Sequence, residues 1–339
     1  MMKELLATCI EGHTLTEEQA EEVMNSIMSG QATPSQIASL VSIMRLRGET
    51  VDELVGFTKS MKKHMSSINY DFDIVDTCGT GGDGSSTFNI STAAAIVASS
   101  LKVKVAKHGN RAVSSKSGSA DVLEKLGVNI QTSKEEAIKS LDEKNMSFLF
   151  APMFHSSMKH AVNPRKEIGF RTVFNLLGPL SNPANAKRQI IGVFSTNYAE
   201  KMAEALKRLG AEHVLLVTGR DGLDEISITT ATDVVELKNG HISRYVLHPT
   251  DVGLVEGVMD EIQVQNSDDS AELIEKIFRG EAPESAENIV ALNAGAALYV
   301  ANLVQSLDMG VLYAKEAIKN GTALKQLKSL QHQQEENYA

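Results

Sequence analysis

The chain has 339 residues, of which 42% are hydrophobic, and this length suffices for one large domain or two. Its formal net charge of −10 argues against nonspecific nucleic-acid binding, which needs a basic face. Its two cysteines, Cys9 and Cys78, are too few for a disulfide framework and fit a reducing cytoplasm, and no apolar run approaches the roughly 18 residues of a membrane span.

The first 66 residues predict a compact unit of helices. Thr16, Thr33 and Thr50 each stand three residues before Gln or Glu, which is the capping-box pattern of a helix N-terminus. Pro34 at the first helical position supports the second of these starts. We therefore expect helices that begin at these threonines, including helices over 34–47 and 50–64.

The pattern changes at residue 73, where strand candidates begin to alternate with helix candidates. The strand candidates are 73–76, 103–107, 128–131, 146–150, 189–194, 213–218, 234–237 and 242–247. The helix candidates are 91–101, 119–126, 134–144, 197–209, 269–279, 286–304, 309–319 and 323–336. This alternation predicts an α/β fold with a mostly parallel sheet flanked by helices on both faces.

A glycine-rich segment, Asp76-Thr-Cys-Gly-Thr-Gly-Gly-Asp-Gly84, joins the first strand candidate to the next helix. Its glycines permit a close approach of the backbone to a ligand, and the N–H groups at a helix start attract anions. The spacing fits neither a Walker A loop nor a dinucleotide fingerprint. A bulky side chain at Gly79 or Gly81 is expected to block the ligand. The alternative is a ligand-free turn, and the polar residues behind the loop argue against it: Asp83, Thr87, Asn89, Ser91 and Thr92.

A second loop follows the next strand candidate and carries three cations, Lys107, Arg111 and Lys116. Ligands bind at the carboxyl ends of strands in open α/β sheets, so two such loops at neighbouring strand ends predict one polyanion site. Asp224 and Glu225 follow the strand candidate 213–218 in the same way. Carboxylate oxygens suit Mg²⁺, and the alternative for this pair is a solvated loop without a ligand.

Four segments together resemble the anthranilate phosphoribosyltransferases. They are Gly79-Thr-Gly-Gly-Asp83, Asn89-Ile-Ser-Thr92, the run from Lys107 to Gly127, and Asp221-Gly-Leu-Asp-Glu225. The resemblance extends over nearly the whole chain. It implies Mg²⁺-dependent transfer of the 5-phosphoribosyl group from 5-phosphoribosyl 1-diphosphate (PRPP) to the amine of anthranilate, in tryptophan biosynthesis.

The resemblance also implies an architecture and an assembly. The architecture is that of the nucleoside phosphorylase-like, class III phosphoribosyltransferases, in which a smaller all-helical domain is discontinuous. Here that domain would comprise residues 1–70 and a return segment at about 165–185, and residues 71–339 would form the α/β PRPP-binding domain. The family implies a cytoplasmic homodimer that binds neither nucleic acid nor membrane, and exposed apolar stripes on helices 34–47 and 50–64 would serve its dimer contact.

The resemblance carries a role to each residue that matches the family's motifs. The residues implied to bind PRPP are Gly79, Gly82, Asp83, Thr87, Asn89, Ile90, Ser91, Thr92, Lys107, His108, Gly109, Asn110, Arg111, Ala112, Val113, Ser114, Ser115 and Ser119. The residues implied to bind anthranilate are Gly79, Asn110 and Arg165, and those implied to bind Mg²⁺ are Ser91, Asp224 and Glu225. The implied reaction needs the two substrates held in line and the charge of the leaving diphosphate stabilised, so no catalytic nucleophile or base is expected. His108 is expected to orient anthranilate.

Two other functions are weighed against this one. A pyrimidine nucleoside phosphorylase-like enzyme would share the fold, but such chains are longer and have an extra C-terminal domain. A non-catalytic homologue that binds nucleic acid would need a basic face and the loss of Asp224-Glu225 or of Arg165, and the sequence has neither. His155 and Met158 either line an aromatic pocket or belong to the core.

Overall fold

The computed structural model describes residues 2–112 and 117–331. Three of the residues implied to bind PRPP, Val113, Ser114 and Ser115, lie outside the described residues.

Fifteen α-helices occur in the described part of the chain. In chain order they are α1 Met2–Ile10, α2 Glu17–Met28, α3 Pro34–Arg47, α4 Val51–His64, α5 Ile90–Ser100, α6 Ser119–Lys125, α7 Lys134–Lys144, α8 Ala151–Phe154, α9 Lys159–Ile168, α10 Val173–Leu180, α11 Thr196–Arg208, α12 Ser267–Arg279, α13 Glu284–Val300, α14 Leu307–Lys319 and α15 Thr322–Gln331. The predicted capping boxes are confirmed, because the side chains of Thr16, Thr33 and Thr50 accept the backbone N–H three residues later and open α2, α3 and α4.

Seven strands form one sheet within the described ranges. They are β1 Val75–Gly79, β2 Val105–Gly109, β3 Met146–Phe150, β4 Arg188–Gly192, β5 His213–Gly219, β6 Thr232–Lys238 and β7 His241–Leu247, and their order is β3-β2-β1-β4-β5-β6-β7. The first five pair in parallel, whereas β6 and β7 run antiparallel to their neighbours. The expected mostly parallel sheet is therefore confirmed.

The strand predicted over 128–131 is wrong. These residues connect α6 to α7 outside the sheet, although Val128 and Ile130 are buried. Two apolar side chains at alternate positions can fasten a connecting segment to the core as well as they can mark a strand.

The parallel register places the carboxyl ends of the strands at one edge of the sheet. Gly79 at the end of β1 pairs with Gly192 at the end of β4, and Gly109 at the end of β2 pairs with Phe150 at the end of β3. The loops that follow these strands, and the loop that follows β5, therefore leave the sheet on the same side.

The two faces of the sheet bury different cores. Leu215 and Val217 of β5 pack with α5 and α13, whereas Val214 and Leu216 face α11 and the core of the helical unit. This alternation follows from the two-residue period of a strand. Buried residues of α11 lie in the same core as those of α1–α4, so α11 connects the helical unit to the sheet.

Helices α9 and α10 pack against the N-terminal helices although they come about a hundred positions later in the chain, α9 against α2 and α3, and α10 against α3 and α4. Their contact buries the apolar face of α3, where Leu40, Val41 and Met44 are at most 1% exposed. The expectation of exposed stripes on α3 and α4 is therefore wrong, because this chain covers them itself. The domain limits at residues 70 and 71 stay a prediction.

Candidate active site

A cavity of about 530 Å³ lies between the carboxyl edge of the sheet and helices α8–α10. Its sheet side is formed by the glycine loop after β1, the loop after β2 and the loop after β5, and its helical side includes His155, Met158, Arg165 and Phe174. The predicted site residues that line it are Gly79, Gly82, Asp83, Thr87, Asn89, Ile90, Ser91, Lys107, His108, Gly109, Asn110, Arg111, Ala112, Ser119, Arg165, Asp224 and Glu225.

Thr92 is the described site residue that does not line this cavity. It is fully buried in the first turn of α5, and its hydroxyl donates a hydrogen bond to Asn89 Oδ1. Thr92 is thus placed to fix the side chain of Asn89, which does face the cavity.

The glycine loop is shaped around Asp224. Gly81 and Gly82 have φ of +69° and +77°, which favour glycine, and the Gly81 N–H donates to Asp224 Oδ2 over 2.8 Å. A Cβ on Gly79 would lie 2.6 Å from the same oxygen. Glycine is therefore needed at position 79 to leave room for the Asp224 side chain. At position 81 a Cβ would meet nothing within 4 Å, so glycine is needed there for its positive φ.

The loop after β5 holds the carboxylate pair against the sheet. Asp221 accepts hydrogen bonds from the hydroxyls of Ser227 and Thr229, both at 2.5 Å, and so closes this loop on itself. At the end of β4, a Cβ on Gly192 would lie 1.5 Å from the Asp224 carbonyl oxygen. Sequence reasoning missed Gly192, because its requirement appears only when β4 and the β5 loop are placed side by side.

The surroundings of the carboxylate pair disfavour its ionised form, because they supply too little positive charge to compensate for burial. Burial, followed by the charge of Asp83, raises the pKa of Asp224, and burial, followed by the charge of Asp224, raises the pKa of Glu225. The Ser91 N–H donates to Glu225 Oε1 over 3.2 Å, which brings the Ser91 hydroxyl beside the pair. Within the ranges described, no group of three His, Cys, Asp or Glu side chains is gathered for a metal. Two carboxylates and a hydroxyl nevertheless fit Mg²⁺, which commonly takes one or two carboxylates together with water and substrate oxygens.

Lys107 is a buried cation beneath these carboxylates. Its side chain is 2% exposed, and its ammonium donates to the Thr77 carbonyl and, over 3.0 Å, to Ser91 Oγ. Asp76 lies nearby and fully buried, and it accepts from the His108 N–H at 3.0 Å and from Asn182 Nδ2 at 2.7 Å. The sequence analysis did not identify Asp76 and Asn182 as residues that hold the site in place. The position of Asp76 at the start of the glycine segment could have indicated its role, whereas no sequence signal indicated that of Asn182.

In the loop after β2, Asp121 holds the two ends together. Its Oδ2 accepts from the N–H groups of Ala112 and Gly118, at 2.9 and 3.2 Å. The Arg111 guanidinium pairs with Asp121 at 2.9 Å and with Glu124 at 2.5 Å. Arg111 thus lines the cavity while its charge is engaged by two carboxylates of helix α6.

Two neutral imidazoles stand side by side in the cavity. Burial is the main reason that the pKa of His108 falls to about 3 and that of His155 to about 4, and their ring centres are 5.1 Å apart. In both rings Nε2 is buried and has no hydrogen-bond partner among the described residues. His155 and Met158 both line the cavity, so the pocket-lining alternative for them is the one that the geometry favours.

Arg165 faces the cavity from α9. Its guanidinium carbon lies 5.1 Å from the centre of the Phe174 ring, and burial lowers the pKa of the guanidinium. A half-buried cation over an aromatic ring, in a cavity that two neutral imidazoles also line, suits a planar anion.

Two family profiles match the chain. The helical bundle domain of the glycosyl transferase family matches residues 3–65, and the a/b domain of that family matches residues 71–324. Among individual relatives, an anthranilate phosphoribosyltransferase of Geobacillus kaustophilus is 64% identical over 330 residues, which is 97% of each chain. One of Bacillus licheniformis is 55% identical over 338 residues and the match covers 100% of both chains.

Solved structures show the same similarity in three dimensions. The crystal structure of an anthranilate phosphoribosyltransferase from Thermus thermophilus has a TM-score of 0.91 at 40% identity, over 96% of this chain and 98% of that one. The Saccharomyces cerevisiae anthranilate phosphoribosyltransferase in complex with PRPP and Mg has a TM-score of 0.88 at 27% identity, over 97% and 96% of the two chains.

Proposed function

The chain belongs to the anthranilate phosphoribosyltransferase family, and from that membership we propose which of its residues carry out the family's reaction. The reaction transfers the 5-phosphoribosyl group of PRPP to the amine of anthranilate, releases diphosphate, and belongs to tryptophan biosynthesis. The amine nitrogen bonds to C1 of the ribosyl group while the C1–O bond breaks and its electron pair leaves with the diphosphate, and the nitrogen then releases one proton to water.

PRPP occupies the sheet side of the cavity in this proposal. The backbone N–H groups of the glycine loop and the N-terminus of α5 face the phosphate oxygens, and the loop after β2 contributes Asn110 and Ser119. Lys107 donates to the Ser91 hydroxyl at the N-terminus of α5 and adds positive charge there. The observation that carries the proposal is that these anion-binding groups and the carboxylate pair line one cavity opposite Arg165.

The carboxylates of Asp224 and Glu225, with the hydroxyl of Ser91, would hold Mg²⁺. A bound Mg²⁺ shields the negative charge of the leaving diphosphate. What the chain itself supplies is a pair of carboxylates kept in place by Gly81, Gly192 and Asp221, so that the metal ligands are positioned before the substrate arrives.

Anthranilate occupies the helical side, where Arg165 binds its carboxylate and Asn110 and Gly79 contact the amine end. The neutral imidazoles of His108 and His155 line this part of the cavity and orient the ring by contact. Catalysis in this account rests on holding the amine in line with C1 and on stabilising the leaving group. No observation favours the phosphorylase alternative or a non-catalytic homologue.

A homodimer and a cytoplasmic location complete the proposal. Family membership is what supports the dimer, and Ile10 of α1 and Leu46 of α3, at 75% and 91% exposure, are apolar side chains of the helical unit that this chain leaves uncovered. The absence of a disulfide framework in the sequence supports a reducing compartment. No helix among the described residues is long and apolar enough to cross a membrane. Sedimentation of the purified chain would report the dimer as a doubled mass.

The reaction itself is tested by following anthranilate fluorescence after PRPP and Mg²⁺ are added to the purified chain. We expect a rapid loss of fluorescence that EDTA abolishes and that excess Mg²⁺ restores. The double variant Asp224→Asn, Glu225→Gln should lose turnover at Mg²⁺ concentrations that saturate the unmodified enzyme. Persistence of the fluorescence with folded protein and intact PRPP would contradict the proposal.

A further inference from the structure

Arg171 is a cation beside the glycine loop to which the account above gives no role. It stands just before α10, half-buried, and its guanidinium lies directly on Gly82. A Cβ built on Gly82 would stand 2.8 Å from Arg171 Nε and 3.3 Å from Arg171 Nη2. On its other side, the guanidinium carbon lies 4.8 Å from the centre of the Phe194 ring. The guanidinium is therefore held between the backbone of the loop and an aromatic face.

Helix α10 and the segment after β4, which carries Phe194, also hold the start of the glycine loop. Asn175, in the first turn of α10, donates from Nδ2 to the Thr80 carbonyl over 3.4 Å. The Phe194 N–H donates to Thr80 Oγ1 over 3.3 Å. Thr80 and Gly82 are thus both fastened by α10 and the segment after β4, whereas Lys107 and Arg111 are engaged elsewhere.

The loop needs such support because its conformation is costly to maintain. Gly81, Gly82 and Gly84 all have φ between +69° and +78°, and glycine loses more conformational freedom on ordering than any other residue. A neighbour that restricts the loop before the ligand arrives lowers the entropic cost of binding. None of the Arg171 nitrogens has a hydrogen bond or ion pair with another described residue, so no carboxylate holds the guanidinium away from Gly82, while its charge acts at longer range to lower the pKa of Asp224.

We propose that Arg171 is a positioning residue for PRPP, which holds Gly82 and the turn around it in the conformation that receives the diphosphate. This inference rests on the proposed function, since it assigns the diphosphate to the glycine loop. Arg171 acts through Gly82, and its loss should weaken the use of PRPP while leaving the anthranilate side of the cavity unchanged.

The first test compares Arg171→Ala and Arg171→Lys with the unmodified enzyme in steady-state kinetics for both substrates. We expect Arg171→Ala to raise the KM for PRPP about tenfold, below the roughly 100-fold that a 1 Å misplacement of a positioning group can cost, and to leave the KM for anthranilate within about twofold. Lysine keeps the charge without the flat guanidinium, so Arg171→Lys should recover part of the loss. Arg244→Ala is the matched control, because Arg244 is exposed, pairs only with Glu200 among the described residues, and lies on β7 away from the cavity.

A double-mutant cycle with Gly82→Ala tests whether Arg171 acts through Gly82. Alanine at φ +77° is strained in either background, and in the unmodified background its Cβ also meets the guanidinium at 2.8 Å, so the KM for PRPP should rise there for both reasons. In the Arg171→Ala background the clash partner is gone, so the same substitution should raise that KM by a smaller factor. Equal factors in the two backgrounds would overturn the proposed route through Gly82.

Failure of this inference can be told apart from failure of the proposed function. If the unmodified chain does not transfer the phosphoribosyl group, the proposed function itself is wrong. If it does, an Arg171→Ala variant with an unchanged KM for PRPP would overturn the positioning role. The same conclusion would follow if both KM values and the melting temperature changed together with no recovery in Arg171→Lys.

Discussion

Arg165 and the Asp224–Glu225 pair face the same cavity from opposite walls. Burial acts on them in opposite directions, since it raises the pKa of both carboxyls and lowers the pKa of the guanidinium. The two carboxyls therefore lack a sufficient positive partner, and the guanidinium lacks a negative one. The carboxylate wall suits a divalent cation that accompanies a diphosphate, and the guanidinium wall suits a carboxylate.

Replacement of Arg165 should affect one substrate more than the other. Arg165→Ala removes the guanidinium that would pair with the anthranilate carboxylate, and we expect the KM for anthranilate to rise at least about tenfold, with the KM for PRPP within about twofold. Arg165→Lys should give an intermediate value, since lysine lacks the two-pronged donor geometry. Lys166→Ala, at the exposed neighbouring position, should change neither constant. Equal increases for both substrates would place Arg165 outside the anthranilate contact.

Glu49 offers a prediction for stability, because it is a buried acid away from the cavity. It is 1% exposed, its Oε2 has no hydrogen-bond partner among the described residues, and burial raises its pKa above the usual 4.5. The folded state thus favours the protonated form. The stability that this group contributes is present in full below pH 4.5 and is lost as the pH rises through the raised pKa.

We therefore expect Glu49→Gln to flatten the fall in stability between pH 4.5 and neutral pH. The gain over the unmodified chain at neutral pH should be about 1.4 kcal/mol for each unit by which the pKa is raised. Urea unfolding at a series of pH values measures this, with Glu143→Gln at an exposed position as the control. A Glu49→Gln chain that is less stable than the unmodified one at every pH would contradict the account.

At the scale of elements, the site depends on how closely the β5 loop lies over the ends of β1 and β4. Gly192 is the narrowest point, since its Cβ would fall 1.5 Å from a backbone oxygen of Asp224. Backbone atoms cannot rotate away as a side chain can, so an added methyl group must move either the loop or the strand.

Gly192→Ala should displace the carboxylate pair and raise the Mg²⁺ concentration for half-maximal activity more than about tenfold, the loss that follows when supports of metal ligands are removed. Ile191→Val is the matched control in the same strand, because it costs about 0.5–1.5 kcal/mol of stability without touching the loop. Titration of activity with Mg²⁺ distinguishes the two variants. A Gly192→Ala enzyme with an unchanged Mg²⁺ requirement would show that the pair does not need this close contact.

Local chemistry made some elements predictable. The capping boxes at Thr16, Thr33 and Thr50 identified the starts of three helices because a cap is a contact within four residues. The position of Asp224 and Glu225 after a strand indicated the correct edge of the sheet, since all parallel strands end there. These inferences need only a short window of sequence or a rule of topology.

Features that depend on distant neighbours could not be predicted in this way. The apolar face of α3 gave no sign that α9 and α10 would cover it. Likewise, Gly192, Asn182 and Arg171 acquire their roles from residues that are remote in the chain but adjacent in the fold. The strand predicted over 128–131 failed for a related reason, because Val128 and Ile130 are buried in a connecting segment and the alternation alone cannot tell such a segment from a strand.

At the scale of the whole molecule, the helical unit and the sheet share one core. Ala161 of α9, Leu177 of α10 and Met202 of α11 are buried together with residues of α1–α4. The cavity lies where these later helices meet the carboxyl edge of the sheet, so its helical wall is held by contacts that span both parts of the chain.

An excised fragment of residues 2–65 should therefore not fold cooperatively. It would expose the apolar faces that α9, α10 and α11 cover, and small units with incomplete cores are marginal at best. Thermal unfolding followed by far-ultraviolet circular dichroism would show a gradual loss of helix, against a sigmoidal transition for the full chain. A sigmoidal transition in the fragment would mean that the N-terminal helices form an independent core.

The most direct test of the site is a crystal structure of the full chain with PRPP and Mn²⁺, which replaces Mg²⁺ and gives an anomalous signal. The account predicts an anomalous peak within coordination distance of Asp224 and Glu225, with diphosphate density along the glycine loop and empty space left beside Arg165 for the second substrate. A peak elsewhere, such as at Asp121 and Glu124, with no diphosphate at the glycine loop, would contradict the assignment of the carboxyl edge as the site of transfer.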